Sequence, residues 1–69
     1  MIVIPSPGKV TYISPATDWR LVVSEGSFEI QPQVGGYEYA SGVNLDNLAA
    51  LIIAAKADAI ARGINWEGN

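Results

Sequence analysis

The segment from Trp19 to Gln31 limits the possible folds more than any other. Trp19-Arg20-Leu21-Val22-Val23 and Phe28-Glu29-Ile30-Gln31 follow a period of two, separated by Ser24-Glu25-Gly26-Ser27. Successive side chains on a strand point to opposite faces, so this pattern predicts strands buried on one side. A two-residue hairpin on Glu25-Gly26 opposes Ser24 with Ser27, Val23 with Phe28, Val22 with Glu29, Leu21 with Ile30, and Arg20 with Gln31. A second hairpin on Gly35-Gly36 joins residues 31–34 to residues 37–40. It opposes Val34 with Tyr37, Gln33 with Glu38, and Pro32 with Tyr39. The two registers come from separate turns, yet they agree on the faces. One face collects Trp19, Leu21, Val23, Phe28, Ile30, Pro32, Val34, Tyr37 and Tyr39. The other collects Arg20, Val22, Ser24, Ser27, Glu29, Gln31, Gln33, Glu38 and Ala40. A slip of one residue in either hairpin would scramble this division. Arg20 then lies diagonal to Glu29, within reach of a surface ion pair contributing at most about 1 kcal/mol. Pro32 has no N–H for a ladder, so the strand must end, bulge or turn that nitrogen outward there.

The flanking segments complete a small α+β domain. Residues 1–8 (MIVIPSPG) read as an extended arm or short edge strand followed by a turn. Lys9-Val10-Thr11-Tyr12-Ile13 is rich in β-branched and aromatic residues and reads as a strand. Ser14 to Asp18 is a loop. Residues 44–62 form a helix that Asn44 or Asp46 can cap, and Asp46 and Arg62 suit its dipole. Gly63 is placed for a C′ residue, with Ile64 as the hydrophobic partner of a Schellman ending. At about 100° per residue, Leu45, Leu48, Ile52, Ala55 and Ala59 line one stripe, the natural lid for the apolar face of the sheet. The prediction is a single domain over 1–69, with sheet at 9–40, helix at 44–62 and a tail at 63–69. It is a three- or four-stranded antiparallel meander with one C-terminal helix on its apolar face.

Composition then decides which chemistry is open to such a domain. Among 69 residues there is no cysteine and no histidine. Disulfides, thiolate nucleophiles, Cys/His zinc sites and imidazole bases are therefore excluded. Glu29 and Glu38 oppose different neighbours, and Asp46 and Asp58 are about a third of a turn apart around the helix, so neither pair forms an acid/base dyad. The acidic residues lack metal-ligand spacing. The serines have no activating base, and no phosphate-binding or dinucleotide-binding motif occurs. The expectation is no enzyme, no metal and no cofactor. Lys56, set among Ile52, Ile53 and Ile60, is read as snorkelling to the edge of an apolar belt.

The chain is mildly acidic, with four Lys and Arg against seven Asp and Glu and a net charge of −3. Four scattered cations make a poor phosphate-binding face, so nucleic acid is not the expected partner. Tyr12, Tyr37 and Tyr39 invite a stacking reading, but Tyr37 and Tyr39 point to the core side in the derived register. The longest apolar stretch, Leu48 to Ala55, is far short of a membrane span, and Met1 to Pro5 lacks the features of a signal peptide. The expected location is the cytoplasm, the host cytoplasm or a virion if the chain is phage-encoded.

Hydrophobic residues make up 49% and charged residues 16%, which leaves apolar content beyond the core. Three patches hold it. The first is a helix strip of Ala50, Ala54, Ala57 and Ala61 on the side away from Leu48 and Ile52, with Ile53 and Ile60 widening the apolar belt. The others are Ile2-Val3-Ile4 and Trp66, which either closes the end of the core or anchors a partner. Ala50, Ile53, Ala54, Ala57, Ala61, Trp66, Ile2, Val3 and Ile4 are the candidate protein interface, and a twofold homodimer through the helix is its simplest use. The expected function is a non-catalytic protein-binding module that self-associates and occupies a surface of a larger partner. Its size and lack of chemistry suit a phage accessory protein, either an inhibitor of host machinery or defence or, alternatively, a minor virion or assembly piece. A nucleic-acid-binding regulator is the further alternative.

Overall fold

Period-two patterning and turn chemistry settle into four strands and a helix among the described residues. The structure, a computed structural model, describes residues 1–33 and 42–66. Its elements are β1 (Ile2–Ser6), β2 (Lys9–Ile13), β3 (Trp19–Ser24), β4 (Ser27–Pro32) and α1 (Gly42–Ala61). The strands form one antiparallel sheet in the order β1-β2-β3-β4. Residues 1–8 are thus an edge strand and its turn rather than a free arm. The Glu25-Gly26 hairpin has the expected register at every pair from Ser24↔Ser27 to Arg20↔Gln31, and it continues to Trp19↔Pro32. Gly8 and Gly26 have φ of 78° and 79°, the left-handed conformation that these two tight turns require. The second hairpin expected at Gly35-Gly36, with Val34, Tyr37, Glu38, Tyr39 and Ala40, lies outside the described residues.

Both strand prolines sit where no ladder donor is needed. In a two-residue hairpin the residues flanking the turn bond each other, and bonded pairs then recur at every second residue. Ser6↔Lys9 and Ser24↔Ser27 flank the turns. Pro5 and Pro32 fall at the alternate, non-bonded positions and turn their bare nitrogens outward. Arg20 does not reach diagonally for Glu29. Its Nε donates to Oε1 of the directly opposed Gln31 at 2.9 Å, because that amide oxygen is the nearer acceptor.

The core lies between α1 and the two central strands. Val10 and Tyr12 of β2, Leu21 and Val23 of β3, and Leu48, Leu51, Ala55 and Ala59 of α1 are buried. Two expectations need correction. Leu51, not Leu45, belongs to the inner stripe, and Leu45 is 54% exposed. The helix is rotated so that Asn44, Leu48, Leu51, Ala55 and Ala59 face the sheet, which swings Leu45 to the flank. Phe28 and Ile30 lie on the predicted face yet are 46% and 40% exposed. A helix about 10 Å wide spans two strands spaced about 4.8 Å, and α1 sits over β2 and β3, leaving β4 beyond its edge.

The ends of α1 are fixed differently. At the C-terminus the Ile64 N–H donates to the Ala59 carbonyl at 2.9 Å and the Gly63 N–H to the Ile60 carbonyl at 3.0 Å. With Gly63 at φ 80°, this is the expected Schellman ending. Because the helix begins at Gly42, Asp46 stands beyond the first turn and Arg62 just past the last helical residue, so neither charge occupies a terminal turn. Asn44 is a bridge to the sheet. Its Oδ1 accepts from the Thr17 hydroxyl and, at 2.8 Å, from the Asp18 N–H, while its Nδ2 donates to the Asp18 carboxylate at 3.1 Å. On the other side of the same loop, Gln33 Nε2 lies within 2.9 Å of the carbonyl oxygens of Ser14, Thr17 and Trp19. The tail closes the opposite end. Gly26 donates to the Asn65 carbonyl at 2.7 Å, and the Asn65 N–H donates to the Glu25 carboxylate at 2.9 Å.

Thr17 and Asn44 are both buried, so their mutual bonds cannot be replaced freely by water. Asn44→Ala should destabilise the domain by about 1–3 kcal/mol, lowering the melting temperature by several degrees in a calorimetric scan.

Candidate protein-interaction surface

The inner stripe of α1 dictates what its outer face displays. Residues opposite Leu48, Leu51, Ala55 and Ala59 around the helix point to solvent. They include Ala50, Ile53, Ala57 and Ile60, at spacings of three, four and three. Ile53 is 72% exposed and Ile60 60% exposed. Ala54 and Ala61, also exposed, flank this line. Asp46 stands at its start. Lys56, at its side, leans away from it with Nζ 5.6 Å from the Trp66 ring centroid. The five helix residues expected at the interface therefore share one nearly uncharged surface. Next to it is a notch of about 230 Å³ lined by Met1, Ser14, Ala16, Asn47, Ala50, Leu51 and Ala54.

The other candidates do not join that surface. Ile2 and Ile4 are 54% and 47% exposed on the side of the sheet away from α1. Val3, on the opposite face of the same strand, packs against the core. Trp66 is half-buried against the core and meets Phe28 edge to face at 5.0 Å between centroids and 78° between planes. Among the described residues, neither its buried Nε1 nor that of Trp19 has a hydrogen-bond partner. Packing at the end of the core accounts for its position. Leu45, expected in the inner stripe, is an exposed apolar side chain outside the expected interface, and Ile60 is read from sequence as widening the apolar belt. The structure places Ile60 one step beyond Ile53 and Ala57 on the same line.

The open face of the sheet forms a second feature, a concavity of about 440 Å³. Ile4, Lys9, Thr11, Ile13, Arg20, Val22, Ser24, Glu29 and Gln31 line it.

One cluster of titratable groups crosses from sheet to helix. Tyr12 is fully buried, and its hydroxyl donates to Asp58 Oδ2 at 2.7 Å. The same oxygen accepts from Arg62 Nε at 2.6 Å, one turn along the chain. Burial first, and then the neighbouring carboxylate, push the Tyr12 phenol up to about 12. The bond from Arg62, aided by that from Tyr12, holds Asp58 below the usual carboxylate range. Asp58 in turn raises Arg62. A phenol that keeps its proton to such a pH, facing a carboxylate already bound twice, is arranged as a lock between layers. Among the described residues, no three acidic, Cys or His side chains group to hold a metal ion, and no helix is long and apolar enough to cross a membrane. No protein-family model, curated protein or solved structure matches the chain.

The lock makes stability depend on pH at both extremes. Asp58 is depressed in the folded state, so its contribution is complete above the unfolded value of 3.8 and is lost as pH falls through the lower folded value. Tyr12 is raised, so its contribution is complete below 10.0 and is lost as pH rises through about 12. Denaturation across the alkaline range should show a steeper loss for the wild type than for Tyr12→Phe, and equal slopes would refute this assignment.

Proposed function

We propose that this protein is a non-catalytic protein-binding module that self-associates through the outer face of α1 and acts by occupying a surface of a larger partner. The observation that carries this reading is the solvent-facing line Ala50, Ile53, Ala57, Ile60. Its steps of three, four and three follow the alternating heptad spacing that keeps one seam facing a second helix along its length. Burying an exposed isoleucine contributes about 1.5–3 kcal/mol, and each chain of a pair offers two.

Side-chain size specifies the orientation of the pair. In a parallel pair like positions meet, stacking isoleucine on isoleucine and leaving alanine opposite alanine. In an antiparallel pair Ile53 meets Ala57 and Ala50 meets Ile60, so every layer holds one large and one small side chain. That arrangement is self-complementary, as a twofold contact requires. Ile2-Val3-Ile4 offers less support for an assembly arm, because it is already the body of β1 within this chain's own sheet.

Sedimentation equilibrium across the micromolar range should give a dimer for the wild type. Ala57→Glu, which places a charge mid-seam at an exposed position, should give a folded monomer. A wild-type monomer, or an Ala57→Glu dimer of unchanged affinity, would overturn the reading.

A further inference from the structure

We infer that the open face of the sheet is a second protein-binding surface, which takes an extended acidic segment of a partner. This rests on the reading of the chain as a protein-binding module but not on its self-association. The strand register lays the face out as a grid. Lys9 on β2 stands at one end, opposite Ser24, and Arg20 on β3 stands at the other, opposite Ile13. Between them the short side chains of Thr11 and Val22 make a low floor. Four residues of strand separate the two ends, so the cations are about 13 Å apart along the strands.

Charge on this face runs against that of the whole chain. The chain carries −3, yet among the described residues the face holds two cations and one carboxylate, Glu29. Among the described residues neither Lys9 nor Arg20 has a carboxylate at ion-pair distance, and Arg20 spends its Nε on the neutral Gln31. The other described acids lie elsewhere. Asp18 is in the loop held by Asn44, Glu25 is clipped to the tail, and Asp46 and Asp58 are on α1. Glu29 flanks the middle row, opposite Val22, and disfavours an anion there. The face therefore asks for a negative charge at each end and an apolar or neutral group between them. An extended chain supplies this with carboxylates at positions i and i+4 on one face and an apolar residue at i+2, since four strand residues span about 13 Å. Among the described residues no aromatic ring lines the concavity to make the stacking platform that single-stranded nucleic acid uses.

The test is an amide chemical-shift titration of the labelled protein with a short synthetic peptide, Glu-Thr-Val-Thr-Glu. The neutral analogue Gln-Thr-Val-Thr-Gln and oligothymidylate serve as comparison probes. The acidic peptide should shift amides of Lys9 to Ile13 and Arg20 to Ser24, and the neutral analogue should bind at least about tenfold more weakly. A combined Lys9→Gln and Arg20→Gln variant should keep its dispersed spectrum and its dimer while losing the peptide shifts. Ala57→Glu should keep them, which separates this proposal from self-association. Equal binding of the acidic and neutral peptides, shifts confined to other residues, or stronger shifts from oligothymidylate at the same amides would each overturn it.

Discussion

Tyr12 is where the two layers of the molecule meet. It is fully buried in the middle of β2, and its hydroxyl reaches the carboxylate of Asp58 on α1. A buried hydroxyl needs a partner, and this one is a carboxylate that Arg62 keeps ionised. The bond fixes both the rotation of the helix about its axis and its position along the sheet. Ala55 and Ala59, the most deeply buried helix residues, let α1 approach β2 and β3 closely. Once Asp58 is held by Tyr12, Ile53, Ala57 and Ile60 must point outward. The exposed seam is a consequence of the inner contact.

A chain of this length buries too little surface to rely on apolar packing alone, and it has no disulfide to assist it. Polar ties hold the connections. Asn44 and Gln33 grip the loop between β2 and β3 from opposite sides, and Asn65 clips the hairpin between β3 and β4. These ties join residues distant in sequence, which restricts how the helix and the sheet can move apart. Outward-facing Pro5 and Pro32 leave gaps in the donor rows at both ends of the described sheet, a feature that discourages edge-to-edge pairing.

Much of this architecture was legible in the residues. The Glu25-Gly26 turn determined a register that the structure reproduces pair by pair, because a period of two leaves no freedom once the turn is placed. Gly63 and Ile64 announced the helix end for an equally local reason. The rotation of α1 was less legible. Leu45 and Leu51 both fit an apolar stripe, and the choice between them depends on the tie from Tyr12 to Asp58, which spans 46 residues. Asn44 reads locally as a cap, and its partners Thr17 and Asp18 are adjacent only once the sheet has formed. The width of one helix, a property of the assembled layers, leaves Phe28 and Ile30 exposed on a face correctly assigned as apolar. Of the candidate interface, the five helix residues share a surface, whereas Trp66 and Val3 belong to the packing of this chain.

The described residues of this protein, which has no histidine or cysteine, form one helix on one sheet and present two outer faces. The helix face is apolar and nearly uncharged, and the sheet face is concave and carries Lys9 and Arg20, neither of which has a carboxylate at ion-pair distance among the described residues. The most direct measurement of the central claim is a residue-resolved map of amide chemical shifts as protein concentration rises. Shifts should move at Ala50, Ile53, Ala57 and Ile60 and stay constant along β2 and β3. Shifts that never move with concentration, or that move in the strands while α1 stays still, would contradict it.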